Sequence, residues 1–174
     1  MDDASISATA LGSTGAPSYQ RFDSETDYRA AVLQVIGLAQ RQIRILDFDL
    51  QRMPLHDAAT ATRLANHLRG AGSESLLIAL HDPGFVQRHS PRLLQLLERH
   101  SNAFQIRQVP DNLRQLADAH VLVDTEHGAR RFHRDFPRGS LLLHNAAEVT
   151  PWWKRFDELW ASSLPLQLTG NAGL

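Results

Sequence analysis

Residues 117–139 read ADAHVLVDTEHGARRFHRDFPRG, and the folding of this stretch decides the architecture around it. HVLVDT (120–125) is a run of strand type, and ARRFH (129–133) and SLLLHN (140–145) are two more. Pro137, Arg138 and Gly139 supply the turn of a hairpin between the last two. Upstream the pattern changes to strands alternating with helices. Ser24 is an N-cap for a first helix whose apolar positions Tyr28, Ala31, Val32, Val35, Ile36 and Ala39 fall at helical spacing. QIRILDFDL (42–50) follows as a strand with Asp47 and Asp49 at its C-terminal end, and DAATATRLANHLRG (57–70) is a second helix ended by Gly70 and Gly72. SLLIALHDP (75–83) is continuously apolar, the pattern of a strand covered on both faces. Ser90 and Pro91 open the helix PRLLQLLERHSN, FQIRQV (104–109) is a further strand, and residues 110–117 form a short helical turn. VTPWWKRFDELWASS (149–163) closes the chain as a helix with Trp152, Trp153, Phe156, Leu159 and Trp160 on a broad apolar face. This order predicts an α/β fold: a single-domain sandwich with a mixed β-sheet flanked by helices.

The chain has 174 residues and 43% hydrophobic content, enough for one sizeable core. The domain is expected over residues 20–165, behind a Gly/Ser/Thr/Ala-rich disordered leader at 1–19 and before a tail at 166–174. A net charge of −1 gives no global basic field, so a nucleic-acid partner is not expected from charge and any anion binding must be local. Lys154 is the single lysine, which excludes most lysine-dependent chemistry and, beside so many arginines, suggests a bacterial GC-rich genome. The absence of cysteine excludes disulfides, thiolate nucleophiles and Cys-containing zinc sites. No signal peptide opens the chain, and no stretch approaches the ~20 apolar residues of a membrane span, so a cytoplasmic location without membrane contact is expected.

The segment from His120 onward resembles the catalytic segment of the phospholipase D-like superfamily. There a strand starts with His, carries Lys two residues on, reaches an Asp after four or five more, and precedes a Gly-Ser-x-Asn turn. Here His120 is kept and Leu122 stands in the lysine's place. Asp124 comes slightly early for the acid, His127 occupies the strict acid position, and Phe132, His133 and Arg134 replace the turn. FDELWASS (156–163) is similar to the end of many members, so the resemblance runs roughly from Arg21 to Ser163. The chain also looks like uncharacterised single-copy members of proteobacteria, some fused behind acetyltransferase domains.

The resemblance implies a phospholipase D-like fold. In active relatives two such segments meet, from an internal repeat or a homodimer. One His attacks phosphorus, the other protonates the leaving oxygen, and paired Lys side chains hold the phosphate oxygens. Only His120 carries over as a catalytic residue. Losing a preorganised cation costs ~100-fold or more in rate. The expectation is therefore a non-catalytic module that binds an anionic ligand, a protein partner or a neighbouring enzyme. The alternative is a homodimeric phosphodiesterase that pairs two copies of His120.

Other readings start from the residues alone. RRFHRDFPRG (130–139) gathers Arg130, Arg131, Arg134 and Arg138 around Phe132, His133 and Phe136, a candidate surface for a phosphate-like anion or a single strand. Asp124, Glu126 and Asp135 neutralise part of it. Asp47 and Asp49 resemble the DxD loop of haloacid dehalogenase-type phosphatases, and with His81, Asp82 and Asp124 they form a candidate polar cluster at the sheet edge. That family's lysine and late acidic pair are not in order here. His120, Asp124, His127, His133 and Asp135 are the residue types of a metal site, yet no helical spacing forces them together. No motif calls for a cofactor. Trp152 and Trp153 are adjacent, so one of them pointing outward would mark a partner or homodimer surface.

Overall fold

The computed structural model of the chain describes residues 15–166. Most of the expected leader and tail, residues 1–14 and 167–174, lies outside that range. The chain runs β1 (Ser18–Phe22), α1 (Glu25–Gly37), β2 (Ile43–Asp47), α2 (Ala58–Leu68), β3 (Leu76–Leu80), α3 (Gly84–His89), α4 (Pro91–Arg99) and β4 (Phe104–Gln108). A short 3-10 turn (Asp111–Leu113) then leads to β5 (Ala119–Val123), β6 (His127–His133), β7 (Phe136–Leu143), α5 (Ala146–Ser162) and β8 (Leu164–Pro165). Ser24 caps α1 by accepting from the Asp27 N–H, and Asp57 caps α2 by accepting from the Thr60 N–H.

All eight strands form one mixed sheet in the order β1-β7-β6-β5-β2-β3-β4-β8. β2, β3 and β4 are parallel, because each is joined to the next by a helical crossover. β5, β6 and β7 extend the sheet antiparallel, joined by short turns, and β1, more than 100 residues before β7, pairs antiparallel with it at the edge. The main core lies on one face, where Tyr28, Val32, Val35 and Ile36 of α1, Leu64 and Leu68 of α2, and Leu93 of α4 meet Ile43, Ile45, Ile78, Val121 and Val123. α5 alone covers the other face, over two smaller clusters. Leu46, Leu77 and Ala79 meet Phe156, Leu159 and Trp160 in one, and Leu122 and Leu142 meet Val149 and Trp153 in the other. No helix among the described residues is long and apolar enough to cross a membrane.

Two differences from the sequence reading matter for function. Strand β1 begins at Ser18, inside the segment expected as a leader, and pairs along β7 from Ser18↔Leu143 to Phe22↔Gly139. Its three central residues are exposed, so the apolar alternation that marks a strand is missing. Second, β5 runs antiparallel to β2, with Leu46 opposite His120 and Ile43 opposite Val123. His120 therefore lies at the C-terminal end of β2, and Asp124 at its N-terminal end.

There Asp124 ties the α1–β2 connection to β5. The backbone N–H groups of Gln40, Arg41 and Gln42 donate to its carboxylate at 2.8, 2.9 and 2.7 Å. Asp124 also has φ +52°, a left-handed conformation that Asp and Asn tolerate better than Ala. Charge-assisted hydrogen bonds contribute about 1.5–3 kcal/mol each, with losses at one site not fully additive. Asp124→Ala should lower unfolding stability in urea by about 3 kcal/mol, and Asp124→Asn, which keeps an acceptor oxygen, by less than half of that.

Candidate functional site

His120 is fully buried beneath α5, its ring meeting Phe156 at a centroid distance of 6.1 Å and an angle of 67°. Nδ1 lies 3.8 Å from the Asp118 carboxylate, beyond hydrogen-bond length, and neither ring nitrogen has a hydrogen-bond partner. Burial lowers the His120 pKa more than Asp118 raises it, so the imidazole is neutral near pH 7. Burial pushes the Asp118 carboxyl up. The Arg155 guanidinium works the other way and holds it below the usual carboxylate range. Arg155 binds Asp118 with a bidentate fork at 2.7 and 2.9 Å, which joins α5 to the entry of β5. Leu122 is fully buried among Leu142, Val149 and Trp153.

The tryptophans of α5 also sit over arginines rising from the sheet. Arg44 lies 5.0 Å from the centre of Trp153, Arg107 4.4 Å from Trp160, and Arg130 3.1 Å from Trp152. Trp152, the more outward of the adjacent pair, is half-buried.

The pleat of β6 divides the arginine cluster between two faces. Arg131 points into the main core, 1% exposed, and donates through both terminal nitrogens to Glu25 at 2.7 Å. Two of its remaining donors reach the carbonyls of His133 and Arg134. Burial works against the Arg131 cation, but Glu25 outweighs it and raises the pKa further. Arg134 lies over Phe48 at 4.2 Å and 3.9 Å from Asp135. His133 accepts from the Asp135 N–H. Arg130 and Arg138 lie on the face of α5, and both are without an ion pair among the described residues. These residues thus do not converge on one anion.

Of the expected sheet-edge cluster, Asp47, Asp49, His81 and Asp82 do share one edge, at the C-terminal ends of β2 and β3. Asp124 is removed from it to the opposite end, where it serves the backbone. A cleft of about 260 Å³ opens beside Asp47, lined by three carboxylates (Asp47, Asp49, Asp135) and three guanidinium groups (Arg52, Arg131, Arg134). Such balance favours neither a simple anion nor a cation. The Asp47 carboxylate accepts from the N–H groups of Leu50 and Asp49 at 2.6 and 3.3 Å. Burial nevertheless raises its pKa from 3.8 to about 6, beyond what those bonds offset. His81 stacks on Phe48 with both ring nitrogens buried and unbonded, and Asp82 accepts from the Gly84 N–H.

The five residues weighed for a metal do not meet. His127 instead approaches Glu126 and His144, with the three ligand atoms within 4.8 Å of one another. Its Nδ1 accepts the His144 backbone N–H at 3.1 Å. A neutral ring in that tautomer carries its proton on Nε2, 3.6 Å from Glu126, so His127 has no lone pair to offer an ion there. Sequence reading missed Asp118, Arg155, Glu25, Tyr19 and Arg21. Asp118 stands two residues before His120 and was visible as a carboxylate on the same strand face; the others are brought in by tertiary contacts.

A family model described as a domain of unknown function, DUF7931, matches residues 24–168. The chain belongs to this family. No curated protein matches it. Among solved structures, this DUF7931 domain is similar to Nuc from Salmonella typhimurium, a phospholipase D family member, with a TM-score of 0.62 and 15% identity over 87% of this chain and 99% of Nuc. NucT from Helicobacter pylori gives 0.59 and 10% identity over 87% of this chain and 100% of NucT. The archaeal chromatin protein TrmBL2, whose structure shows a novel mode of DNA binding, gives 0.63 and 13% identity over 85% of this chain. The DUF7931 chain spans 54% of the length of TrmBL2. At these identities the likeness shows the fold, which is phospholipase D-like.

The buried Asp47 makes stability depend on pH. Its pKa is higher folded than unfolded, so the stability it contributes is full below about pH 4 and is lost as pH rises through about 6. Asp47→Asn removes that loss. Wild-type minus variant stability, from urea unfolding, should fall by about 2 kcal/mol between pH 4 and pH 7.5. A constant difference would contradict the assignment.

Proposed function

We propose that this DUF7931 domain is a non-catalytic phospholipase D-like module that binds an anionic ligand. The observation that carries the reading is the burial of His120. Attack on phosphorus needs a ring nitrogen that substrate can reach, and both nitrogens of His120 lie under α5. Two residues on, where the resemblance calls for a cation, Leu122 is packed in an apolar cluster. A homodimer pairing two copies of His120 would need α5 lifted from both. An Asp47-dependent phosphatase would need a lysine beside the carboxylate, and the chain's one lysine, Lys154, lies on α5.

Anion binding is supported by Arg21 and Arg138, which line one groove, and by Arg130, stacked against Trp152 of α5. They make no hydrogen bond or ion pair among the described residues, unlike Arg131, which Glu25 occupies. TrmBL2 offers a precedent for this fold in a protein that binds DNA.

Two measurements test the reading. With EDTA present, hydrolysis of bis(p-nitrophenyl) phosphate should be no faster for wild type than for His120→Ala. Calorimetric binding of pyrophosphate should weaken about tenfold or more in Arg138→Ala, as expected for one charge-assisted contact. EDTA-resistant hydrolysis that disappears with His120 would overturn the non-catalytic assignment.

A further inference from the structure

We infer that the open sheet face built by β1, β7 and β6 is a stacking platform for single-stranded nucleic acid. This rests on the anion-binding reading above and names its ligand class. The register assembles the face. Tyr19 lies opposite Leu142, Arg21 opposite Ser140, and Ser140 opposite Arg130. Leu142 packs under α5, so strand alternation sends Tyr19, Arg21, Arg130 and Ser140 to that same face, while Phe132 and Arg138, beside the register shift between Arg131 and His133, meet Arg21 in one groove. α5 crosses β2, β5 and β6, and Tyr19 and Arg21 of β1 stay exposed.

Two properties select the ligand. The first is unpaired positive charge. Arg130 is wedged between Trp152 at 3.1 Å and Phe132 at 5.7 Å, with its Nε buried and unbonded. Arg21 and Arg138 line one groove together with Phe132, Asp23 and Asp27, and neither carboxylate forms an ion pair with them. The second is exposed aromatic surface interleaved with those arginines at strand spacing. Tyr19 is 50% exposed, Phe132 43% and Phe136 61%. A free phosphate has no use for the rings, and an acidic peptide has little. Unpaired bases stack on rings while arginines neutralise the phosphates between them. Tyr19 and Phe132 stand two strands across and four residues along the sheet, about 16 Å apart, with the arginines between. That is the span of a few nucleotides. A duplex buries its base faces and cannot use it. The net charge of −1 is no obstacle, because the attraction is local.

The test is fluorescence anisotropy of labelled dT20 and rU20 with the full chain at several salt concentrations between 50 and 200 mM. Three phosphate contacts predict a slope of about −2 for log affinity against log salt, and Arg138→Ala should flatten it by about 0.7. Phe132→Ala and Tyr19→Ala, both exposed, should each weaken binding about tenfold and leave the slope unchanged. The inference is overturned if neither strand binds, if a 20-base-pair duplex binds equally well, or if both ring variants bind like wild type. Pyrophosphate separates the two readings. If it binds and Arg138→Ala weakens it while dT20 and rU20 fail, only this inference falls. If pyrophosphate also fails to bind, both fall.

Discussion

The ion pair between Arg155 and Asp118 is the interaction on which the far side of this molecule depends. It joins the single helix that covers one sheet face to the strand that carries His120. The layer beneath that helix is unusually polar for a sheet–helix interface. Arg44, Arg107 and Arg130 rise from the sheet and stack on the three tryptophans, and the apolar residues form two separate clusters around them. Buried polar groups without partners are costly, and His81, His120, Arg44, Arg107 and Trp160 all carry such atoms here. Breaking the Arg155–Asp118 fork would leave a mostly buried carboxylate beside a buried neutral histidine. Loss of that pair would therefore loosen the helix, the histidine and the stacked arginines together.

The same strand geometry explains why one basic segment has two fates. Arg130 and Arg131 are neighbours in sequence and lie on opposite faces of β6. Arg131 becomes a core residue, four of its five donors taken by Glu25 and two carbonyls. Arg130 stays on the face that α5 only partly covers. A patch that looks continuous in sequence is thus one arginine paired in the main core and one stacked against Trp152 of α5.

Much of the fold was legible because burial imposes period. The continuous apolar run of β3, the helical spacing in α1, the Ser90–Pro91 start of α4 and the aromatic face of α5 all read directly. β1 was hidden because an edge strand with three exposed residues has no apolar alternation to show. α3 escaped because six residues are too few to display a period. Strand order was out of reach, since the pairing of β5 with β2 joins segments some 75 residues apart through contacts without a local signature. The candidate site followed the same rule. His120 and Leu122 were found by motif, whereas the burial of His120 depends on α5, and the open arginine face depends on a strand that sequence did not reveal. Asp124 was recognised as important in the wrong company, because the direction of β5 decides which end of the sheet it serves.

The sealing of His120 is the central claim, and NMR titration of labelled histidines tests it most directly, with the His120 resonance assigned by its loss in His120→Gln. A neutral, enclosed ring predicts a signal that titrates below the ordinary histidine range and does not respond to added phosphate. A His120 signal that titrates near pH 6.5 and shifts with phosphate would contradict the account, because the ring would then be open to solvent and within reach of a substrate.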